Sequence, residues 1–226
     1  MRIKLIIFDL DGTLVDSLGD LTDATNAMLK RFNRRELKSD EVRQLIGQGA
    51  RRLVERAMPG ATLEEIEEGI QIFVAYNEAH IADKTRLYPG VRETLAILDK
   101  FWRMAVISNK NTALCQKLLE VLDVADYFCV IMGADSCPSR KPSPEPIYKL
   151  LDQVGVTAAE AVIVGDSCND IKAGKGAEVL TVGCSYGYGE AGELGGADYR
   201  IDNFMGLLSL RLFALNDYPK KPVSLS

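Results

Sequence analysis

Hydrophobic and polar positions follow two different rhythms along this chain. Ile3-Lys4-Leu5-Ile6-Ile7-Phe8 is a near-continuous apolar run, rich in β-branched residues and ended by Asp9-Leu10-Asp11-Gly12-Thr13. Such a run reads as a strand buried on both faces of a parallel sheet. From Asp16 to Lys84 the apolar residues recur instead at spacings of three and four, as in Leu21, Ala24, Met28, Leu29 and Phe32. That period predicts helices, and no strand stands out among them. Ser39-Asp40 is placed to cap a second helix, Gly47-Gln48-Gly49 interrupts it, Ala50 to Met58 resumes it, and Pro59-Gly60 breaks the chain. Thr62-Leu63-Glu64-Glu65 then has the spacing of a capping box.

After Tyr88-Pro89-Gly90 the two rhythms alternate. A helix over Val91–Phe101 precedes a strand at Met104–Ser108, a helix near Thr112–Leu122 and a short strand near Cys129–Met132. The loop Gly133–Ser143 leads to a helix opening at Pro144, where proline fits a first turn. A strand at Ala161–Val164 runs into Gly165-Asp166, a helix starts near Asn169, and a last central strand, Val179–Val182, ends at Gly183. This alternation predicts an α/β fold, a doubly wound parallel sheet, with an inserted α-helical cap. The core is expected over 1–15 and 85–215 and the cap over 16–84. The stretch 216–226, with two prolines and little apolar content, is expected to be a frayed tail.

Composition narrows the options. In 226 residues, 47% hydrophobic, there is material for a sizeable core, and a net charge of −5 offers no general attraction to nucleic acid or to anionic membranes. No apolar run approaches the ~18 residues of a membrane span, and the first residues do not resemble a signal peptide, so a cytoplasmic protein is expected. The five cysteines are scattered without a CxxC pair, and His80 is the only histidine. Acid–base chemistry therefore falls to carboxylates.

Those carboxylates cluster at strand ends. Asp9 and Asp11 follow the first strand, Ser108-Asn109-Lys110 ends the second, Arg140-Lys141-Pro142 precedes the helix at Pro144, and Gly165-Asp166-Ser167-Cys168-Asn169-Asp170 follows the fourth. In open α/β sheets that edge is the ligand site. Taken singly, each has a plain alternative: Asp170 as a first-turn helix residue, Ser108 and Asn109 as caps, Lys141 as a solvated charge. Together, four acids need a hard cation to offset their repulsion, and an oxygen-only donor set favours Mg²⁺. Beside it, a carboxylate attacks phosphorus with Lys141 offsetting the repulsion of two anions, and Asp11 passes a proton to the leaving oxygen and takes one from water.

The ordered set DLDGT, SN, KP and GDSCND resembles the haloacid dehalogenase superfamily, in the branch with a helical cap inserted after the first motif. The resemblance implies that Asp9 is a nucleophile forming an aspartyl phosphate and Asp11 the general acid/base. It further implies that Asp9, Asp11, Asp166 and Asp170 serve the metal, and that Ser108, Asn109 and Lys141 bind phosphate. Asp11 argues against the namesake dehalogenases, which lack that acid. Gly12-Thr13 and the absence of a hinge histidine in Leu18–Ala27 argue against hexose-phosphate mutases. Leu45-Ile46-Gly47-Gln48-Gly49-Ala50, Lys141-Pro142-Ser143-Pro144-Glu145-Pro146 and Tyr186-Gly187-Tyr188 are similar to the phosphoglycolate phosphatase branch. A departure from it is Ala177-Glu178, where that branch usually has Ala-Gly. The expected partner is a small phosphorylated metabolite, handled by a monomer or homodimer. Pyrophosphate or a range of sugar phosphates is the alternative substrate, with a mutase or a non-catalytic binding module behind them. In the cap, Gly47, Gln48 and Gly49 are expected to close over the site, with Arg51 or Arg52 meeting a substrate carboxylate.

Overall fold

The computed structural model describes residues 2–213, so the expected tail at 216–226 lies outside the described residues. Strand β1 (Leu5–Phe8) is wholly buried. It is followed by β2 (Val15–Asp16), four helices, α1 (Leu18–Arg31), α2 (Ser39–Arg43), α3 (Gly49–Ala57) and α4 (Leu63–Ala79), and β3 (Arg86–Leu87). The remaining elements are α5 (Val91–Leu98), β4 (Arg103–Ile107), α6 (Thr112–Val121), β5 (Val130–Met132), α7 (Glu145–Val154), β6 (Ala161–Gly165), α8 (Cys168–Gly176), β7 (Leu180–Cys184) and β8 (Tyr199–Ile201).

Six strands form one parallel sheet in the order β5-β4-β1-β6-β7-β8, with β1 paired to β4 on one side and β6 on the other. The alternation of side chains along β1 explains both covering layers. Ile6 and Phe8 join Val91, Leu95, Leu98, Leu114 and Leu118 of α5 and α6 in one apolar cluster. Leu5 and Ile7 join Ile147, Leu150 and Leu151 of α7 and Ala173 of α8 in the other. Each such side chain contributes roughly 1.5–3 kcal/mol on burial, so the unbroken apolar run of β1 is what sandwiching between two helical layers requires.

Helices α1, α3 and α4 of the insert pack around a third cluster built from Leu21, Met28, Leu53, Val54, Ile66 and Phe73. The capping box at α4 forms as the spacing predicts: Glu65 N–H donates to the Thr62 hydroxyl and Thr62 N–H to the Glu65 carboxylate. Ser39-Asp40 does not cap α2. The cap position is Lys38, whose N–H donates to Glu41, and Ser39 is the first helical residue.

Three features depart from the expectation. The insert is rooted by a two-residue antiparallel ribbon, Val15 against Leu87 and Asp16 against Arg86, too short to show a period. Asp20, buried in the first turn of α1, ties the returning chain to this root by accepting from Lys84 N–H, Thr85 N–H and the Thr85 hydroxyl. The last strands also differ: β7 continues through Gly183 to Cys184, and a further edge strand, β8, lies beyond it. Glu178, finally, sits in the left-handed region at φ 58°, a conformation that favours glycine. That conformation costs a non-glycine residue about 1–2 kcal/mol, against about 0.5–1 kcal/mol for glycine's extra chain entropy. Glu178→Gly is therefore expected to raise stability by about 0.5–1 kcal/mol in urea unfolding, and a loss of stability would show that Glu178 makes a compensating contact.

Candidate active site

The sheet reverses its strand order between β1 and β6, and the crevice beyond their carboxyl ends is the ligand position of this topology. Asp9 leaves β1 and Asp166 leaves β6 at that point. The turn after Asp9 depends on Gly12, at φ 92°, because a Cβ there would lie 2.2 Å from the Asp166 carboxylate. Asp166 is held from the other side by Tyr188 N–H at 2.6 Å and Gly189 N–H at 3.3 Å. Asp170, in the first turn of α8, accepts from Ser167 N–H and its hydroxyl at 3.1 and 2.7 Å.

Between these acids lies Lys141, buried, its ammonium donating to Asp9 Oδ1 at 2.7 Å, Asp170 Oδ1 at 2.7 Å and the Ile107 carbonyl at 2.5 Å. Burial works against its charge, yet Asp170 and Asp9 outweigh burial and hold its pKa above the usual lysine value. All three ammonium hydrogens are in use. Lys141 thus aligns the carboxylates and supplies charge; as a direct donor to a phosphate, the role expected from sequence, it would first have to exchange one of these bonds.

Carboxylate oxygens of Asp9, Asp166 and Asp170 lie within 4.8 Å of one another, all three residues buried. One ammonium does not balance three such groups. Burial, reinforced by Asp170, pushes Asp166 up to about 7, and burial likewise holds Asp9 well above the ordinary carboxylate range despite Lys141. A buried all-oxygen donor set short of positive charge fits a hard divalent cation.

The sign of the consequence is fixed. Where the folded state binds a proton more tightly than the unfolded chain, stability is greatest below the unfolded pKa and is lost as pH rises to the folded value. In chelator the protein is expected to lose on the order of 1–4 kcal/mol, roughly 3–10 °C in Tm, between about pH 4 and pH 7. Mg²⁺ should flatten that slope by binding the ionised form. Superimposable Tm profiles with chelator and with Mg²⁺ would exclude a cation at these carboxylates.

Asp11 stands outside the trio. Its carboxylate accepts from the Ser17 hydroxyl at 2.6 Å and Lys110 Nζ at 3.2 Å. Ser17 N–H donates to the Tyr188 hydroxyl at 2.6 Å, and that hydroxyl donates to Asp16 at 2.9 Å. Ser17 and Lys110 reach Asp11 directly and Tyr188 reaches it only through Ser17, contacts that the spacing of the motifs does not reveal. Ser108 lines the crevice as expected. Asn109 does not offer its side chain to a phosphate: both amide hydrogens are used, on the Gly47 and Lys141 carbonyls, each at 2.8 Å.

The insert lies over this crevice, and the two line a partly open cavity of about 920 Å³. Gly47, Gln48 and Gly49 line it, and the Gly47 carbonyl also accepts from Asn169 at 3.2 Å. At Gly49, φ 81°, an added Cβ would come within 2.7 Å of the Arg140 guanidinium and 3.0 Å of the Asn109 carbonyl, so glycine allows the close approach. Arg51 and Arg52 do not reach the cavity. Arg51 pairs with Glu67 of α4 at 2.5 Å and Arg52 with Glu55 at 2.9 Å. The arginines that line it are Arg43 and Arg56. Arg43 donates to the Gly187 and Tyr188 carbonyls, bridging insert and sheet, whereas Arg56 has no hydrogen-bond or ion-pair partner among the described residues.

A model of the haloacid dehalogenase-like hydrolase family matches residues 6–184. A phosphoglycolate phosphatase of Neisseria meningitidis is 40% identical over 84% of this chain and 83% of that protein. One from Neisseria gonorrhoeae is 38% identical over 92% of this chain and 91% of its own length. The crystal structure of a predicted phosphoglycolate phosphatase from Haemophilus somnus superposes with a TM-score of 0.88 at 34% identity, covering 92% of this chain and 98% of that one.

Proposed function

The chain belongs to the haloacid dehalogenase-like hydrolase family, and from that premise we propose that it is a Mg²⁺-dependent phosphatase that hydrolyses 2-phosphoglycolate through an aspartyl phosphate. The observation that carries the chemistry is the set of buried carboxylates around Lys141 at the strand-order reversal, facing the cavity beneath the insert. The substrate rests on the names of the relatives, together with Arg56, an exposed residue of the cavity lining whose side chain has no partner among the described residues.

A cation held by Asp9, Asp166 and Asp170 would supply charge neutralisation, letting an anionic carboxylate approach an anionic phosphate. An Asp9 oxygen attacks phosphorus, the ester P–O bond breaks, and the departing alkoxide takes a proton from Asp11. Asp11, now ionised, then takes a proton from a water that attacks the same phosphorus. The Asp9–phosphorus bond breaks, and the carboxylate and inorganic phosphate are restored. Lys141 fixes the rotamer of Asp9, while Ser17 and Lys110 hold Asp11 for its two proton transfers. The insert above the crevice keeps bulk water from the intermediate.

Arg56 replaces Arg51 and Arg52 as the residue that receives the substrate carboxylate, since a charge-assisted hydrogen bond contributes about 1.5–3 kcal/mol. The test is phosphate release from 2-phosphoglycolate, pyrophosphate and several sugar phosphates, with and without Mg²⁺. Preference for 2-phosphoglycolate is expected, with Arg56→Ala raising its KM about 10- to 100-fold. Arg51→Ala and Arg52→Ala should leave that KM within about twofold, as for exposed ion pairs. Even hydrolysis across the panel would keep the chemistry and remove the substrate.

A further inference from the structure

The stretch Tyr186-Gly187-Tyr188-Gly189 takes no part in the chemistry itself, yet it lies directly against a carboxylate that does. A Cβ on Gly187 would come 2.3 Å from the Asp166 Cβ and 2.4 Å from the Gly12 carbonyl oxygen, and one on Gly189 would come 2.1 Å from the Asp166 carbonyl oxygen. The loop and Asp166 are thus packed backbone to backbone, and neither shifts without the other.

Two consecutive peptide groups of this loop are clamped at both ends. Tyr188 N–H and Gly189 N–H donate to one and the same Asp166 oxygen, at 2.6 and 3.3 Å. The carbonyls in those two peptide planes are Gly187 and Tyr188, and in a trans peptide C=O and N–H point in opposite directions. Both carbonyls accept from a single side chain, Arg43, whose Nη2 donates to Gly187 at 2.7 Å and whose Nε donates to Tyr188 at 3.3 Å. A guanidinium suits this task because its donors are fixed in one plane and reach two neighbouring acceptors together. Arg43 makes no ion pair among the described residues, so its fork is committed to these carbonyls. The tyrosine hydroxyls anchor the loop elsewhere, Tyr186 on the Thr13 carbonyl and Tyr188 on Asp16, each at 2.9 Å. Arg43 differs from them in standing on α2, a helix of the insert.

We propose that Arg43 is a positioning residue for Asp166, which it holds through these two peptide groups, so that seating of the insert completes the geometry of the cation-binding carboxylates. This rests on the reading of Asp9, Asp166 and Asp170 as a Mg²⁺ site. Arg43 touches neither cation nor substrate phosphorus. Mg²⁺ demands near-ideal octahedral geometry, so a ligand free to turn binds it less well than one held in place. The consequence for the reaction is order: the cation is held best when the insert already shields the crevice from water.

The test is direct titration of Mg²⁺ into the substrate-free protein by calorimetry, beside hydrogen exchange of single amides followed by NMR. Arg43→Ala is expected to weaken Mg²⁺ binding about tenfold, the low end of what loss of an outer partner of a metal ligand costs. The Tyr188 and Gly189 amides should exchange faster, while those of β1 and β6 keep their protection. Arg43→Lys, which keeps the charge but not the planar fork, should fall between Arg43→Ala and wild type, and Arg52→Ala should match wild type. The sign separates this account from a purely electrostatic one. A guanidinium acting only through its charge repels the cation, so its removal would tighten Mg²⁺ binding. Mg²⁺ binding by Arg43→Ala that is unchanged or tighter overturns the proposal, as does unchanged exchange at Tyr188 and Gly189 or an equal loss of affinity in Arg52→Ala. Failure of the wild-type protein to bind Mg²⁺ would instead strike the reading of the carboxylates as a cation site, and the role of Arg43 with it.

Discussion

Asp9→Asn is expected to suppress phosphate release by about 10⁴-fold or more while leaving the fold as stable as before or slightly more so. The amide keeps the shape of the carboxylate and its place at the end of β1, but it has no anionic oxygen to attack phosphorus. Stability moves the other way for an electrostatic reason. Burial holds the Asp9 carboxyl well above its ordinary pKa despite the opposing pull of Lys141, and Asp170 and Asp166 add repulsion to it. Removing that charge relieves the site, and Lys141 keeps Asp170 and the Ile107 carbonyl as partners. Activity bought at the expense of stability is the general behaviour of sites that bury like charges. Phosphate release and Tm measured on the same preparation decide the point. Residual activity above about a tenth of wild type would remove Asp9 as nucleophile, and a large drop in Tm would mean its charge is structural.

How far the sequence shows this site depends on what carries the information. The strand ends were legible because an unbroken apolar run such as Leu5–Phe8 has one stable home, a strand covered on both faces, and because the polar residues that end such strands must meet at one edge of the sheet. That brought Asp9, Lys141, Asp166 and Asp170 together from positions far apart in the chain. The insert was legible as helices but not as a surface. Arg51 and Arg52 follow Gly47-Gln48-Gly49 directly and were the natural arginines to assign, yet nearness in sequence is the wrong measure on a helix. Leu53 and Arg56 fall four and seven residues after Gly49, on the face of α3 that lines the cavity, while Arg51 turns to Glu67 and Arg52 to Glu55. The burial of Leu53, Val54 and Ala57 against α4 fixes that phase, and their one-and-four spacing among charged residues is the local signal that marks it, a better guide than nearness to the glycine turn. The ribbon of β2 and β3 and the edge strand β8 escaped for a simpler reason: two or three residues hold too few positions to display a period.

Lys141→Met is expected to be the most damaging single change for stability in the site, costing about 3–5 kcal/mol in urea unfolding near neutral pH without divalent cation. The methionine fills the volume, so the loss is electrostatic. Its side chain is 2% exposed, and without the ammonium Asp9 and Asp170 face each other across a buried space with no positive charge between them. The contrast with Asp9→Asn decides between two accounts of the cluster. If Lys141 merely decorates the acids, removing it costs little; if it is what permits them to be buried together, removing it costs far more than removing one acid. The second account carries further consequences. Lowering the pH should restore stability to Lys141→Met by protonating the buried carboxyls of Asp9 and Asp166, whose pKa values are already raised. Adding Asp170→Asn should recover much of the lost stability without recovering phosphate release, a coupling that a double-mutant cycle reads directly. Lys141→Arg should rescue neither, because a planar guanidinium cannot reproduce three bonds radiating from one nitrogen to Asp9, Asp170 and the Ile107 carbonyl. Stability within about 0.5 kcal/mol of wild type for Lys141→Met would show instead that water, and not the lysine, solvates the carboxylates of this crevice.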